Sequence, residues 1–261
     1  MTDPAPQRRR YALTLEYDGG PFVGWQRQDS GLSVQQVLEE AAAKLNGGAA
    51  PPSVAAGRTD AGVHAEGQVA EIEIAAGHLP PERVREALNF HTRPHPVSVV
   101  RAAVAPDGWN ARFSALRRGY RYRILNRRPR PALDEGRVWH VGQRLDADAM
   151  HRAAQGLLGR HDFSAFRAAA CQAASAERTL DRLEVSRFGD EVVVWAEARS
   201  FLHHQVRNLV GTLTMVGQGR RGPEWPRRVL DGRDRTRAGQ TAPAEGLCFM
   251  FVRYGVEPDW D

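Results

Sequence analysis

The sequence predicts an α+β protein made of two related β-α-β-β-α-β halves, with antiparallel or mixed sheets side by side and a central cleft. Three observations lead there. Strand-like alternation and helix-like periodicity follow one another in the same order twice along the chain. The apolar fraction of 42% over 261 residues supports a sizeable core. The second pass begins after Pro106–Ser114, which sets the boundary between a first half at residues 11–105 and a second at 106–261. Residues 1–10 are expected to be a disordered basic tail.

In the first half, Tyr11 to Tyr17 alternates as a strand and stops at Asp18-Gly19. A helix follows, with Ser33 and Gln36 spaced as a capping box and Asn46-Gly47 as the stop. "SVAAG" is a short strand ahead of a tight turn. "QVAEIEI" sets Ile72 and Ile74 against Glu71 and Glu73, which predicts a half-buried strand. "LPPERVREALNF" places prolines in a first helical turn, and "VSVVRAAVA" reads as a buried strand. In the second half, "GYRYRILN" puts Tyr120, Tyr122 and Ile124 on one strand face and Arg121 and Arg123 on the other. A helix runs from an Asp146 cap to Gly159, and a hairpin turns near Gly189-Asp190. "FLHHQVRNLVGTLTMVGQG" is predicted to be a helix with one apolar stripe at Leu202, Val206, Leu209, Val210 and Leu213. "EGLCFMFVRYG" closes the half as a strand.

Lys44 is the only lysine among 36 basic residues, set against 31 acidic ones. A GC-rich coding bias accounts for most of that skew; a polyanion partner also fits, since arginine forks onto phosphate. Cys171 and Cys248 are too few for a disulfide framework or a zinc site, which suits a reducing, cytoplasmic setting. The opening "MTDPAPQRRR" is not a signal peptide, and no apolar run is long enough to span a membrane.

The residue that stands out is Asp60, in "GRTDAGVHA". An aspartate in a turn is commonly an Asx-type structural residue. Here Gly57 and Gly62 flank it and allow tight backbone approach, Arg58 is near, and Arg207 lies on a helix of the other half. A carboxylate held by arginine stays charged and oriented, which suits a nucleophile better than a proton donor. "RRGYRYR" interleaves cations with aromatics, as single-strand nucleic-acid binders do. His203 and His204, read as neighbours on a helix, do not share a face and make a poor metal pair. Asp60 with His64 lacks a third ligand. "SAFRAAACQAASAERT" reads as a loop carrying Arg167, Gln172 and Arg178, with RNA contact as its functional reading.

The ordered segments "YDGGPFVGWQRQ", "SVQ..LE", "GRTDAGVHA", "NARFSA", "YRYRI", "HDFSAFR", "FLHHQVRNLVGTL" and "AGQTAPAEGL" resemble the tRNA pseudouridine synthase A family over about 240 residues. The resemblance implies the pseudouridine synthase fold. It makes Asp60 the catalytic nucleophile, Arg207 its charge partner, and Arg58 the residue that takes over the flipped nucleotide's space. Tyr120 and Leu247 fall on residues against the target base. Trp109, Asn110, Ala111, Arg112 and Phe113 match an RNA-contacting stretch, and Ala168, Ala169, Ala170, Cys171 and Gln172 a tRNA-contacting loop. Gly20 and Val23 depart from the first motif, and "SAERTL" matches loosely. The implied activity is isomerisation of uridine to pseudouridine at positions 38, 39 and 40 of the tRNA anticodon arm, by a cytoplasmic homodimer needing no cofactor, metal or membrane.

That reaction breaks N1–C1′ and joins C5 to C1′, with no redox change. The uridine must leave its stack. One ionised carboxylate suffices, as nucleophile at C1′ or as base at C2′, and the sequence does not choose between these routes. Two rivals are a non-catalytic RNA-binding protein, which would have lost Asp60, Tyr120 or Arg207, and a metal-dependent nuclease using Asp60 and His64, to which the turn offers only Glu66 as a further acid.

Overall fold

The computed structural model describes residues 8–261. Along the chain the elements are β1 (Arg9–Tyr17), α1 (Val34–Ala43), β2 (Ser53–Ala55), β3 (His64–Ile74), α2 (Pro81–His91), β4 (Val97–Val104), β5 (Ala115–Leu125), β6 (Trp139–His140), α3 (Ala147–Gln155), β7 (Gly159–Asp162), β8 (Glu177–Phe188), β9 (Glu191–Ala198), α4 (Gln205–Gly217), α5 (Trp225–Gly232) and β10 (Leu247–Tyr254). The fold is α+β. It divides into two units, the chain through Leu116 together with Phe249–Asp261, and Arg117–Cys248.

In the first unit the strand order is β4-β1-β3-β10, with β2 on β3. β1 pairs antiparallel with β3 and β4, and β2 antiparallel with β3. The alternation that predicted β1 delivers Tyr11, Leu13 and Leu15 to the core, beside Ile72 and Ile74 of β3, Leu38 of α1 and Leu88 of α2. Ser33 caps α1 by accepting from the Gln36 N–H at 3.2 Å, while the Gln36 side chain turns to Glu40 instead of closing the box. Exposed Lys44 is the C-cap. Asn46 leaves the helix and ties the chain to β3, donating to Glu73 O and accepting from Ala75 N.

Four expectations change in this unit. β3 is covered on both faces rather than half-buried. Glu71 is buried because its carboxylate accepts from the Ala111 N–H at 2.8 Å and Asn110 Nδ2 at 3.3 Å, with Arg10 at 3.6 Å. β4 is not a buried strand but lies at the end of the strand order, where Val100 and Val104 are each 40% exposed. The basic run is partly built into the fold, since Arg9 opens β1 and Arg10 donates to Trp109 O at 2.8 Å; the tail expectation for residues 1–7 lies outside the described residues. The last strand, expected to close the second half, belongs from Phe249 onward to the first unit. Its approach to β3 is close because residue 67 is glycine: a Cβ there would stand 2.2 Å from Met250 O.

In the second unit the order is β5-β9-β8-β7, antiparallel throughout, with the short β6 parallel to β5. Tyr120, Tyr122 and Ile124 are buried along one face of β5, and Arg121 and Arg123 are half-buried on the other. Arg123 is satisfied there by Asp134 at 3.1 Å and by Glu191. Asp146 caps α3 through the Ala149 N–H at 2.8 Å. α4 is shorter and more deeply set than its apolar stripe implies. It begins at Gln205, and Asn208, Thr212 and Thr214 are buried with the aliphatic residues. α5, with Pro226 in its first turn, was not anticipated. Among the described residues, no helix is long and apolar enough to cross a membrane.

Gly67→Ala is expected to destabilise the protein by about 1–3 kcal/mol, because backbone must shift to admit the methyl. Gly142→Ala, where the nearest atom would be Arg127 O at 3.9 Å, is expected to stay within about 0.5 kcal/mol of wild type. Paired denaturant melts of the two variants check this contrast.

Candidate active site

In the first unit Asp60 sits in a turn clamped by a second turn. The Trp25 N–H donates to Thr59 O at 3.0 Å, and Gly24 forms an isolated antiparallel bridge with Asp60. Gly24 has φ +108°, and a Cβ on it would lie 2.6 Å from Thr59 O. A Cβ on Gly19 would lie 2.1 Å from Val63 O. Sequence reading assigned the close approach to Gly57 and Gly62. Gly62 does supply a left-handed residue, at φ +78°, but the contact is made by Gly19 and Gly24 of the first motif. Behind the turn, Tyr17 Oη and Thr59 Oγ1 are 2.8 Å apart in a buried hydrogen bond, and Trp25 leans on the Tyr17 ring at 6.2 Å. Gln68 Nε2 donates to Gly57 O at 2.7 Å. The Asp60 backbone carbonyl accepts from Val63 N at 3.1 Å, and the residue is half-buried. Its local frame is thus backbone against backbone, the stiffest support available without a long side chain.

Arg58 is exposed and, among the described residues, makes no side-chain hydrogen bond or ion pair, so it does not hold Asp60 as the sequence suggested. His64 faces the opposite end of the turn. Its Nδ1 accepts from the Gly19 N–H at 3.0 Å and lies 3.2 Å from Asp18 Oδ1. A ring nitrogen so engaged is a structural acceptor, which leaves the nuclease rival weaker at that atom.

The stretch from Trp109 to Phe113 is a turn with two inward and two outward residues. Trp109 and Ala111 are buried, with Trp109 against Tyr254 at 4.9 Å and Ala111 O accepting from Tyr254 Oη at 2.8 Å. Asn110 Oδ1 accepts from Arg112 N at 3.0 Å and Phe113 N at 2.9 Å. That Asx geometry thrusts Arg112 outward over the ring of Phe113, 5.5 Å away, while Phe113 is 75% exposed. Of the five residues implied by resemblance, Arg112 and Phe113 therefore present their side chains to solvent.

In the second unit Arg207 occupies the first turn of α4. Its Nε donates to Ala242 O at 2.8 Å, and Ala242 N donates back to Arg207 O at 3.1 Å. The segment that supplies Ala242 is pressed on α4 where residues 211 and 239 are glycines; a Cβ on Gly211 would stand 1.8 Å from Gln240 O. Asn208 locks the arrangement. Its Oδ1 accepts from Thr241 Oγ1 at 2.7 Å and Arg235 Nη2 at 3.0 Å, and its Nδ2 donates to Phe166 O at 2.8 Å. Asn208 stands inside a recognised motif, yet only its neighbour Arg207 was singled out. The available signal was a buried-polar pattern in "RNLVGT" that a purely apolar stripe ignores.

Tyr120 is 8% exposed, with Phe201 edge-on to it at 5.2 Å and 89°. Tyr122 is the packing member of the pair: it donates from Oη to Pro243 O at 2.8 Å beneath Gly246, where a Cβ would meet its ring at 2.6 Å. Leu247 follows directly, buried, with its N–H on Ala244 O at 2.9 Å. His203 and His204 precede α4 instead of lying on it. His204 is the N-cap residue in a left-handed conformation, φ 62°, and the Leu202 N–H donates to Gln205 Oε1 at 2.8 Å. His203 O accepts from Ala168 N at 3.0 Å and so anchors the loop Ala168–Gln172, in which Ala169, Ala170 and Gln172 are exposed.

The family profile described as tRNA pseudouridine synthase matches residues 14–114 and 153–255. The chain is 62% identical over 251 residues to the tRNA pseudouridine synthase A of Acidiphilium cryptum, covering 96% of this chain and 98% of that one. It is 58% identical over 247 residues to the protein of that name from Rhodospirillum centenum, covering 94% and 100%, and 56% over 248 residues to that of Paramagnetospirillum magneticum, covering 95% and 96%.

Burial pushes the Tyr122 phenol well above its ordinary value of 10.0; Glu245 adds to the shift and Arg207 opposes it. The folded chain therefore keeps the proton after the unfolded chain has lost it. The stability Tyr122 contributes is complete below pH 10 and is lost as pH rises beyond it. Denaturant titrations are expected to show a steeper alkaline loss for wild type than for Tyr122→Phe, which at neutral pH should be weaker by about 1 kcal/mol through the lost Pro243 bond. Parallel alkaline slopes would remove Tyr122 as the source.

Proposed function

The chain belongs to the tRNA pseudouridine synthase family, and we propose that it isomerises uridine to pseudouridine in the anticodon arm of tRNA, at positions 38, 39 and 40. The observation that carries the residue assignment is the backbone clamp around Asp60. It fixes the backbone that carries one half-buried carboxylate before substrate enters.

In this reading the target uridine leaves its stack, at a cost of a few kcal/mol that phosphate contacts elsewhere offset. Asp60 acts at the ribose, on C1′ as nucleophile or on C2′ as base. The N1–C1′ bond breaks, the ring turns, C5 bonds to C1′, C5 loses its proton and N1 regains one. Arg207, held by Ala242 O, supplies the positive charge that keeps the carboxylate ionised. Tyr120, its plane set by Phe201, and Leu247 hold the detached ring for re-attack, a positioning role. Arg58 takes the space vacated by the nucleotide, which its exposure permits. Arg112, Phe113 and the Ala168–Gln172 loop contact the RNA. The protein acts as a cytoplasmic homodimer.

Asp60→Asn is expected to abolish tritium release from C5-labelled uridine in tRNA while leaving the melting temperature and tRNA binding close to wild type, since an amide neither attacks C1′ nor takes a proton from C2′. Substantial turnover by a well-folded Asp60→Asn protein would falsify the assignment. Tyr120→Phe should weaken turnover and Tyr120→Ala should reduce it far more; equal turnover by the two would dismiss the ring as the working part. Activity should persist in a chelator, and its loss there would favour the metal-dependent rival.

A further inference from the structure

Apart from Arg178, which the sequence already suggested as an RNA contact, unassigned residues of the second unit line a cavity of about 290 Å³ where β7, the start of β8 and the residues after β9 meet. Its charged lining is Arg160, Arg178, Arg199 and Glu177, with the hydroxyls of Ser175 and Ser200 among the rest. Three guanidiniums face one carboxylate. Glu177 is committed to Arg160 at 3.1 Å. Arg178 and Arg199 have no carboxylate within ion-pair distance among the described residues.

Arg178 is the informative member. Its Nη1 donates to Ser175 O at 3.0 Å and Glu177 O at 2.6 Å, which fixes the guanidinium. Its Nε is buried and lacks an acceptor. A half-buried cation with an orphan donor and no counter-charge is costly unless an anion completes it. The backbone at Arg199 is also fixed, because Arg118 Nη1 donates to Arg199 O. So the cavity is pre-organised at the Arg178 guanidinium and anchored through the main chain at Arg199.

No aromatic or aliphatic side chain lines the cavity. It therefore has nothing to grip the body of a free small molecule, and its volume falls just below the usual range for such sites. An anion borne on a polymer needs no such grip, because contacts elsewhere carry the rest of the chain.

We infer that this cavity is a subsite for one backbone phosphate of the RNA, held by Arg178 and Arg199 with Arg160 at the rim. The inference rests on the tRNA substrate proposed above. It adds a fixed grip next to the Ala168–Gln172 loop: β8, which carries Arg178, begins five residues after that loop ends.

The test is tRNA affinity by fluorescence anisotropy across a salt series, for wild type, Arg199→Gln and Arg178→Lys. Arg228→Gln on α5, paired with Glu224 at 2.9 Å and outside the cavity, makes the same charge change as Arg199→Gln and serves as control. Arg199→Gln is expected to weaken binding several-fold and to lower the slope of log affinity against log salt by about 0.7–0.9, one phosphate's worth. Arg178→Lys should weaken binding while the slope holds, because charge remains but the fork is lost. Arg228→Gln should match wild type. Equal effects of Arg199→Gln and Arg228→Gln, or an unchanged slope for Arg199→Gln, would overturn the subsite. A phosphorus NMR titration with inorganic phosphate separates the sources: loss of phosphate binding in Arg199→Gln with intact tRNA affinity would reassign the cavity to a free anion and defeat the inference. Pseudouridine formation is measured on the same wild-type preparation. Its absence would count against the proposed reaction, whereas an active enzyme with an unmoved salt slope would count against the subsite alone.

Discussion

The turn that carries Asp60 depends on one contact, the approach of the Gly24 backbone to Thr59 and Asp60. Two peptide planes can come this near only if one residue lacks a Cβ and can adopt positive φ. What results is a support without rotamers. A carboxylate carried on such a support loses little on binding, because its backbone is already ordered before RNA arrives. The buried Tyr17–Thr59 hydrogen bond and the Gly19–Val63 approach extend the same support to both ends of the turn.

The second unit reaches a comparable rigidity by other means. Around Arg207 the fixing element is a polar hub. Asn208 spends both functional atoms of its amide on three separate segments, through Phe166, Arg235 and Thr241. A buried amide of this kind is favourable only when fully satisfied. Thr212 extends the hub, donating to Asn208 O and accepting from Gly239 N. The glycines at 211 and 239 then let the strap lie flat on the helix. One arginine is consequently aimed through a carbonyl, that of Ala242, whose own position several elements determine.

The sequence displayed the local rules well and the tertiary ones poorly. Ser33 and Asp146 were legible as caps because capping is settled within three residues. Tyr120, Tyr122 and Ile124 were legible as one face because strand alternation is geometric. Glu71 was misplaced because its burial depends on a turn some forty residues later that offers N–H donors to it. β4 was misplaced because Val and Ala look alike in a central strand and at an edge. The helix containing Arg207 was drawn too long because apolar spacing continues back to Leu202, while the left-handed His204 that ends it leaves no mark in periodicity. In the candidate site, the tight turn that carries Asp60 was legible from its motif. The identity of the glycines that press against it was not, since they lie about forty residues away in sequence, and Arg58 was credited with a bond it does not make.

Lys44 has a consequence of a different sort. It caps α1 on the exposed surface and is the only lysine in the sequence. Every other basic side chain apart from histidine is a guanidinium, which keeps its proton at any pH the fold survives. The protein's attraction for polyanions therefore does not fade in mild alkali as that of a lysine-rich surface does. The same scarcity gives amine-directed reagents a single side-chain address, at the exposed end of α1, where a dye or a tether can be placed without altering any arginine.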